Sequence, residues 1–437
     1  MTVRWPGGGD DMRRRLAAAL LFLALTDVSG AVPIRNVILC IGDGMGTGQV
    51  AAAHCYAGTN LFFESFPYQS WITTCDAGGF ITDSAAASTA IATGRKVYSG
   101  VISLALPGDA VELETLLEHF KKADKRTGLV TTSYLTDATP ASFGAHENSR
   151  FNAAQIASDY LCQTRPDVLM GGGYTGLDDA AVSAAGYSAV TDRVSLAELN
   201  AAGTPRVCGL FGFGSLPFEY DGLGTRPSLS DMAGKALEVL ECDPDGFFLM
   251  IEGGLIDGAC HGNDLPRCVG ETLAFDAAVK KIVGWAEGRD DTLVLVMADH
   301  ETGGLTVAHD NGPGVLPDVL WTTTGHTGSP VALYGWGANA YLAGRVSDNT
   351  QVASVARSRV PQPGESIGFE RIAAEYTTTL WATASGGVYR VEYSATLSPS
   401  AWQPCGTVTA SSSRVTFVHS NSVHGSQGFY RMISGQP

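Results

Sequence analysis

The sequence predicts an α/β protein in which a largely parallel central sheet is flanked by helices and followed by a small C-terminal all-β domain. From about 34 to 345, short near-continuous apolar runs alternate with longer amphipathic or Ala-rich stretches, the pattern of a parallel sheet covered on both faces. Beyond a Pro- and Gly-containing break, residues 367–437 instead alternate Thr, Ser, Tyr and Val in period two, as half-exposed antiparallel strands do. The chain of 437 residues is 45% hydrophobic and 16% charged, ample for a packed core and too apolar for wholesale disorder. Its 53 glycines follow no period, which excludes a collagen-like chain.

The elements follow in order. Arg13, Arg14 and Arg15 precede the apolar run Leu16 to Leu25, and Ser29, Gly30 and Ala31 follow, the order of a secretory signal and its cleavage site. Residues 1–31 are therefore expected to be a signal peptide, and the mature protein to be exported: periplasmic, cell-surface or extracellular. The apolar run is too short to span a bilayer, which takes roughly 20 residues, and no transmembrane segment is expected elsewhere. Removing 1–31, with four Arg and three Asp, takes the net charge from −16 to −17. Such an acidic chain has no sequence-independent grip on nucleic acid, which is not expected as a specific partner. An anionic substrate would need a few arginines or bound metal. Nine cysteines remain after cleavage; in an oxidising compartment some should pair, an odd number leaves at least one free, and Cys260 with Cys268 closes a short loop. Cys40 lies inside an apolar run and reads as a buried thiol.

Val37–Ile41, Thr127–Thr132, Phe247–Ile251 and Leu293–Met297 read as buried parallel strands because they are almost continuously apolar. Helices are predicted at 84–93, 112–123, 152–161, 231–241 and 270–286, with a further one at 348–358. Residues 361–366, Pro361 to Ser366, have the composition of a linker. The division expected is thus a catalytic domain over 32–360, that linker, and a β-sandwich-like domain over 367–437.

Ligands of such folds collect at the carboxyl ends of the strands, and there the sequence places metal-binding residue types. Asp43 follows the first strand between Gly42 and Gly44; alone, that is an ordinary turn aspartate. Ser84 opens the Ala-rich helix of Thr82 to Ala90, where an N-cap is the plain reading, but a helix N-terminus also offers free N–H groups to an anion. No base neighbours Ser84, so as a nucleophile it would need a metal to lower its hydroxyl pKa. Glu252 ends a strand, and Asp257 and His261 stand four apart, on one side of a helical turn. Asp299, His300 and Glu301 follow the strand ending at Ala298, and His326 sits between Gly325 and Thr327. Three of the chain's nine His lie beside carboxylates or glycine turns, which argues against chance.

These motifs, in this order over about 36–358, resemble the alkaline phosphatase family. The resemblance implies an enzyme with two zinc ions and one magnesium. Asp43 would bridge magnesium and the second zinc; Ser84, the nucleophile, would be bound to that zinc with Asp299 and His300; Asp257, His261 and His326 would hold the first zinc. The segment Asp137 to Ala141, through His146 to Arg150, is similar to the family's stretch carrying magnesium-site residues and the phosphate-binding arginine. Thr139 and Glu252 would bind magnesium, Asp137 would ligate it or orient its waters, and Arg150 would clamp phosphate. The donor types sort accordingly, since His-containing sets suit zinc and an all-oxygen set suits magnesium.

The implied activity is hydrolysis of small phosphate monoesters through a phosphoserine, releasing inorganic phosphate and an alcohol. Where some bacterial members carry a basic residue after the helix aspartate, this chain has Gly258, so the resemblance does not fix its phosphate affinity, metal preference or pH optimum. A homodimer is carried over as an expectation, although the stretch from His300 to His326 is short for the insertion that some relatives use at their interface. Phosphodiesterase and sulfatase readings of the same superfamily are the alternatives; Asp83 to Ala87 lacks the Pro-Ser-Arg or Pro-Ala-Arg ending of sulfatases. A non-catalytic exported binding protein is the alternative of another class. The tail resembles small β modules of exported bacterial proteins, as a spacer or as a contact to the cell surface or a glycan.

Overall fold

The computed structural model describes residues 34–358 and five strands between 376 and 434. These fall into two units, divided after Ser358. The predicted signal peptide and linker lie outside the described residues.

The first unit is built on β1 (Asn36–Gly42), β2 (Tyr68–Ile72), β3 (Arg126–Tyr134), β4 (Val168–Gly173), β5 (Ser188–Val190), β6 (Val207–Phe213), β7 (Phe247–Gly253) and β8 (Thr292–Ala298). Four shorter or later strands follow: β9 (Glu301–Thr302), β10 (Thr306–His309), β11 (Asp318–Leu320) and β12 (His326–Thr327), then β13 (Val331–Gly337). Nine of them form one sheet in the order β2-β13-β8-β1-β7-β3-β4-β6-β5. From β8 to β5 every pairing is parallel, and β13 and β2 add an antiparallel edge. The four strands predicted from sequence are its centre. β1, β7 and β8 are buried at every residue, as strands covered on both faces must be.

Register aligns the ends of the central strands. Gly42 pairs with Gly253 of β7 and Ala298 of β8, and Glu252 lies opposite Ile41 on one side and Thr131 of β3 on the other. Asp43, Glu252 and Asp299 therefore emerge side by side. The helices that bear on this edge are α1 (Thr47–Ala57), α2 (Ser84–Thr93), α3 (Ala138–Gly144), α4 (Leu255–His261) and α5 (Leu265–Ala286). Among the described residues, no helix is long and apolar enough to cross a membrane.

One close approach fixes the segment after β8. A Cβ at Gly48 of α1 would lie 2.0 Å from the Leu305 carbonyl oxygen, so only glycine lets the helix seat there. The neighbouring Gln49 then donates to the Thr302 carbonyl at 2.5 Å and to Glu301 at 3.2 Å. Gly48→Ala is expected to destabilise the protein by about 1–3 kcal/mol, read as a lower urea midpoint at unchanged slope.

The second unit is strands alone: β14 (Tyr376–Trp381), β15 (Val388–Ser394), β16 (Gln403–Thr409), β17 (Arg414–His419) and β18 (Phe429–Ser434). They pair antiparallel as β14-β17 and β16-β15-β18, in keeping with the period-two pattern. Among the described cysteines all eight are unbridged; Cys40 is buried, and the Cys260 and Cys268 sulfurs stand 3.5 Å apart.

Candidate active site

The site assembles from strand ends. Asp43 follows β1, Asp299 and His300 follow β8, and α2 delivers Ser84. The His300 Nε2 lies 3.3 Å from the Ser84 hydroxyl, 3.3 Å from Asp299 Oδ2 and 3.5 Å from Asp43 Oδ1. All four residues are buried. The other Asp299 oxygen accepts from the Gly44 and His300 amides, which aims Oδ2 at the histidine. Ser84 is the first helical residue and not the cap: Asp83 holds the N-cap and accepts from the Ala86 amide at 3.0 Å. The Ser84 hydroxyl is thereby left unused by the helix.

The second group is carried by α4 and β12. Four residues apart on one helical turn, Asp257 Oδ2 and His261 Nε2 are 3.1 Å apart. His326 Nε2 lies 3.6 Å from Asp257 Oδ1 and 3.2 Å from His261 Nε2, and its ring stacks on His300 with centroids 3.6 Å apart. Tautomers follow from the partners. His261 Nδ1 faces the Thr324 carbonyl at 2.6 Å and His326 Nδ1 the Thr82 carbonyl at 2.9 Å; carbonyls only accept, so each Nδ1 carries the proton. Thr302 donates to Asp257 at 2.5 Å, so its oxygen accepts from His300 Nδ1 at 3.3 Å. The Nε2 lone pairs of His300 and His326 then converge, and His261 Nε2, protonated against Asp257 in the metal-free protein, joins them once a cation takes the place of that proton, the arrangement of metal-ligating histidines whose far nitrogens are fixed by hydrogen bonds.

A third, all-oxygen set lies beside the first. Glu252 accepts from Thr131 at 2.5 Å, and the Thr139 hydroxyl of α3 is buried beside it. Asp137 caps α3, accepts from the Ser133 hydroxyl at 2.6 Å, and takes the Arg150 guanidinium at 3.0 Å. The same guanidinium reaches Asp83 at 3.2 Å, so its fork is held between the cap of α2 and the cap of α3.

Charge is the unresolved quantity of this cluster. Burial, then the neighbouring Asp299 and Asp257 charges, push the Asp43 carboxyl well above its usual range. Burial and Asp137 push Glu252 up to about 8, and burial with Asp257 pushes Asp299 to about 7. Burial holds His300 down at about 4, and burial with the neighbouring His300 lowers His326. The Asp257 hydrogen bond lifts His261 to about 9, while Asp257, against burial, is held low by His261, His300 and Thr302. Burial opposes the Arg150 charge, but Asp137 and Asp83 outweigh it and keep the guanidinium ionised.

These residues fit divalent cations. Asp43 Oδ1 and Asp299 Oδ2 are buried without a hydrogen-bond partner, an arrangement that costs free energy unless something positive meets those oxygens. Among the described residues, two groups bring single ligand atoms within 4.8 Å of one another: Asp43, Asp299 and His300, and Asp257, His300 and His326. His300 belongs to both.

A pH dependence follows for metal-stripped protein. Above pH 6.5, the ordinary histidine value, native Asp299 retains up to about 7, Glu252 up to about 8 and His261 up to about 9 a proton that the unfolded chain has released. The native state binds more protons, so stability falls as pH rises through that window. The melting temperature of stripped protein is expected to drop from pH 6.5 to 9, and loading with zinc and magnesium should flatten the profile.

Every residue singled out in the sequence reaches this edge of the sheet. Sequence reasoning missed the hydroxyls and the carboxylate that hold them: Asp83, Thr131, Ser133 and Thr302. Asp83 and Thr302 adjoin recognised motifs, which was the available signal; Thr131 is found only through the β3–β7 register, and Ser133 only through its bond to Asp137 four residues on.

Fold and donors together define a class: an α/β protein arranged to hold divalent cations at the carboxyl ends of a largely parallel sheet, beside a buried serine. The chain belongs to the alkaline phosphatase family, whose model, described as Alkaline phosphatase, matches residues 34–317. It is 39% identical over 297 residues to Alkaline phosphatase 3 of Bacillus subtilis (strain 168), a match covering 63% of each chain. Its fold is similar to that of the cold-active alkaline phosphatase of a psychrophilic Shewanella, with TM-score 0.68 and 28% identity over 75% of this chain and all of that one. It is similar also to a variant of the TAB5 alkaline phosphatase with Mg bound in its M3 site, with TM-score 0.66 and 27% identity over 75% of this chain and 97% of that one.

Proposed function

We propose that the protein hydrolyses phosphate monoesters through a phosphoserine at Ser84, releasing inorganic phosphate and an alcohol. The observation that carries this is the Ser84 hydroxyl, free of any capping duty, 3.3 Å from the Nε2 of the histidine common to both donor groups. In this reading Asp257, His261 and His326 would hold one zinc, Asp43, Ser84, Asp299 and His300 a second, and Asp43, Thr139 and Glu252 a magnesium, with Asp137 beside it to orient water. When bound, these cations supply the positive charge that ionises the hydroxyl and neutralises phosphate oxygens.

The chain's own groups do the rest. Ser84 presents its oxygen at the first turn of α2, where free amide groups favour an arriving anion. Arg150, pre-oriented by Asp83 and Asp137, forks two donors towards the phosphate. In the first step the Ser84 Oγ–P bond forms, the ester P–O bond breaks and the departing alcohol takes a proton. In the second, water attacks phosphorus, the Oγ–P bond breaks and Ser84 regains its proton.

Export through a signal at 1–31 and the division into a catalytic domain over 32–360 and a β domain over 367–437 complete the reading. The test is one rate comparison at alkaline pH on metal-loaded protein, with aryl phosphate, aryl phosphodiester and aryl sulfate of one leaving group. A phosphate preference abolished by chelator is expected. Preference for diester or sulfate would overturn the substrate assignment.

A further inference from the structure

Glu301 is a buried carboxylate beside the site that belongs to neither donor group. Both of its oxygens face donors. Oε1 accepts from the Gln49 side-chain amide of α1 at 3.2 Å and from the Leu305 amide at 3.3 Å, and Oε2 accepts from the Thr327 hydroxyl of β12. The backbone is shaped to admit it: a Cβ at Gly46 would lie 2.1 Å from the Glu301 Cγ, so the chain enters α1 through glycine.

These bonds join three segments. β9 and β12 pair antiparallel over two residues, with Glu301 opposite Thr327 and Thr302 opposite His326. A ribbon that short is marginal by its backbone alone, and β12 is flanked by Gly325 and Gly328, which hold a chain loosely. The bond from Thr327 crosses the ribbon and fastens β12 to the segment that carries His300. Gln49 fastens the same segment to α1, since its amide also donates to the Thr302 carbonyl at 2.5 Å. The His326 ring has its own tether from Nδ1 to the Thr82 carbonyl, which sets its rotation; where its backbone stands is set by β12.

We propose that Glu301 is a positioning residue for His326: by accepting from Thr327 it holds the His326 Nε2 where Asp257 and His300 can share one cation with it. This rests on the reading of those three residues as cation ligands, and does not depend on the reaction at Ser84. The residue type is part of the inference. A carboxylate accepts at both ends, whereas a glutamine would turn an NH2 towards donors at one of them, and bonds to a carboxylate are the stronger ones.

The test measures zinc binding to stripped full-length protein against a chelator-buffered zinc series, with the urea midpoint recorded for each variant. The cation concerned is the one whose binding His261→Ala weakens. Thr327→Val, which removes the hydroxyl at nearly constant shape, and Glu301→Gln should each raise its dissociation constant by about tenfold, the scale on which partners behind metal ligands act. Thr327→Ser should stay within about twofold of the unaltered protein. Because both substitutions remove one bond, the double variant should fall well short of the product of the single effects. An unchanged dissociation constant in Thr327→Val and Glu301→Gln, with only the urea midpoint lowered, overturns the inference, as does a Thr327→Ser protein as weak as Thr327→Val. Turnover is not needed for either outcome. The expected ranking in a protein without monoesterase activity upholds the role of Glu301, and a flat ranking in an active monoesterase overturns it; no zinc bound by the unaltered protein overturns it together with the metal assignment.

Discussion

Ser84→Ala is expected to lower kcat/KM for a phosphate monoester by about 10³-fold or more, the scale on which covalent catalysis depends on its nucleophile. The fold should not notice. The hydroxyl's hydrogen-bond contact is with His300, and the cap of α2 belongs to Asp83, which also accepts from the Gly100 amide at 3.0 Å. Thermal unfolding of the variant should therefore lie close to that of the unaltered protein, with both donor groups still able to take metal. Turnover within a few-fold of the original would remove Ser84 from the reaction.

His300→Ala is expected to act on both donor groups at once. Its Nε2 faces Ser84, Asp43 and Asp299, and its ring covers His326 at 3.6 Å. Losing the ring deletes a donor and opens a cavity beneath a second ligand, so the cost combines lost coordination with a packing loss of about 2–4 kcal/mol. Elemental analysis of the purified variant should show fewer tightly held divalent cations per chain, and kcat/KM should fall by about 10³-fold or more. His261→Ala is the informative contrast. That ring is half-exposed and belongs with Asp257 and His326 alone, so the Asp43–Asp299 group should keep its cation. Full metal retention in His300→Ala would contradict the grouping.

Legibility in the sequence followed burial. The central strands could be read because both faces are covered and the apolar runs are unbroken. β2 was not read, because as an edge strand it exposes alternate residues. β4 and β6 were not read either: Gly171, Gly172 and Gly173 look like a turn but sit against the backbone of Ser133, Gly214 and Leu177, and Gly209 and Gly212 leave room for the Phe211 and Arg226 side chains. α1 was hidden by the glycines around its start, Gly48 inside it among them, whose reason is Leu305, far along the chain. The candidate ligands were legible because each follows a strand or a glycine turn. Their supports were not, since Thr302 on Asp257 and Thr131 on Glu252 depend on contacts between distant segments. The plain reading of Ser84 as a cap gave way for the same reason: the sequence cannot say whether Asp83 or Ser84 turns into the helix first.

The central claim is a phosphoryl group that passes through Ser84. Its most direct test is to mix metal-loaded protein with a phosphate monoester, quench in acid within one turnover, and locate added phosphoryl by peptide mass spectrometry. The account predicts phosphate on the peptide carrying Ser84, at that residue, and none when metals have been stripped beforehand. Phosphate on another residue, or brisk turnover with no phosphoryl-protein at any quench time, would contradict it.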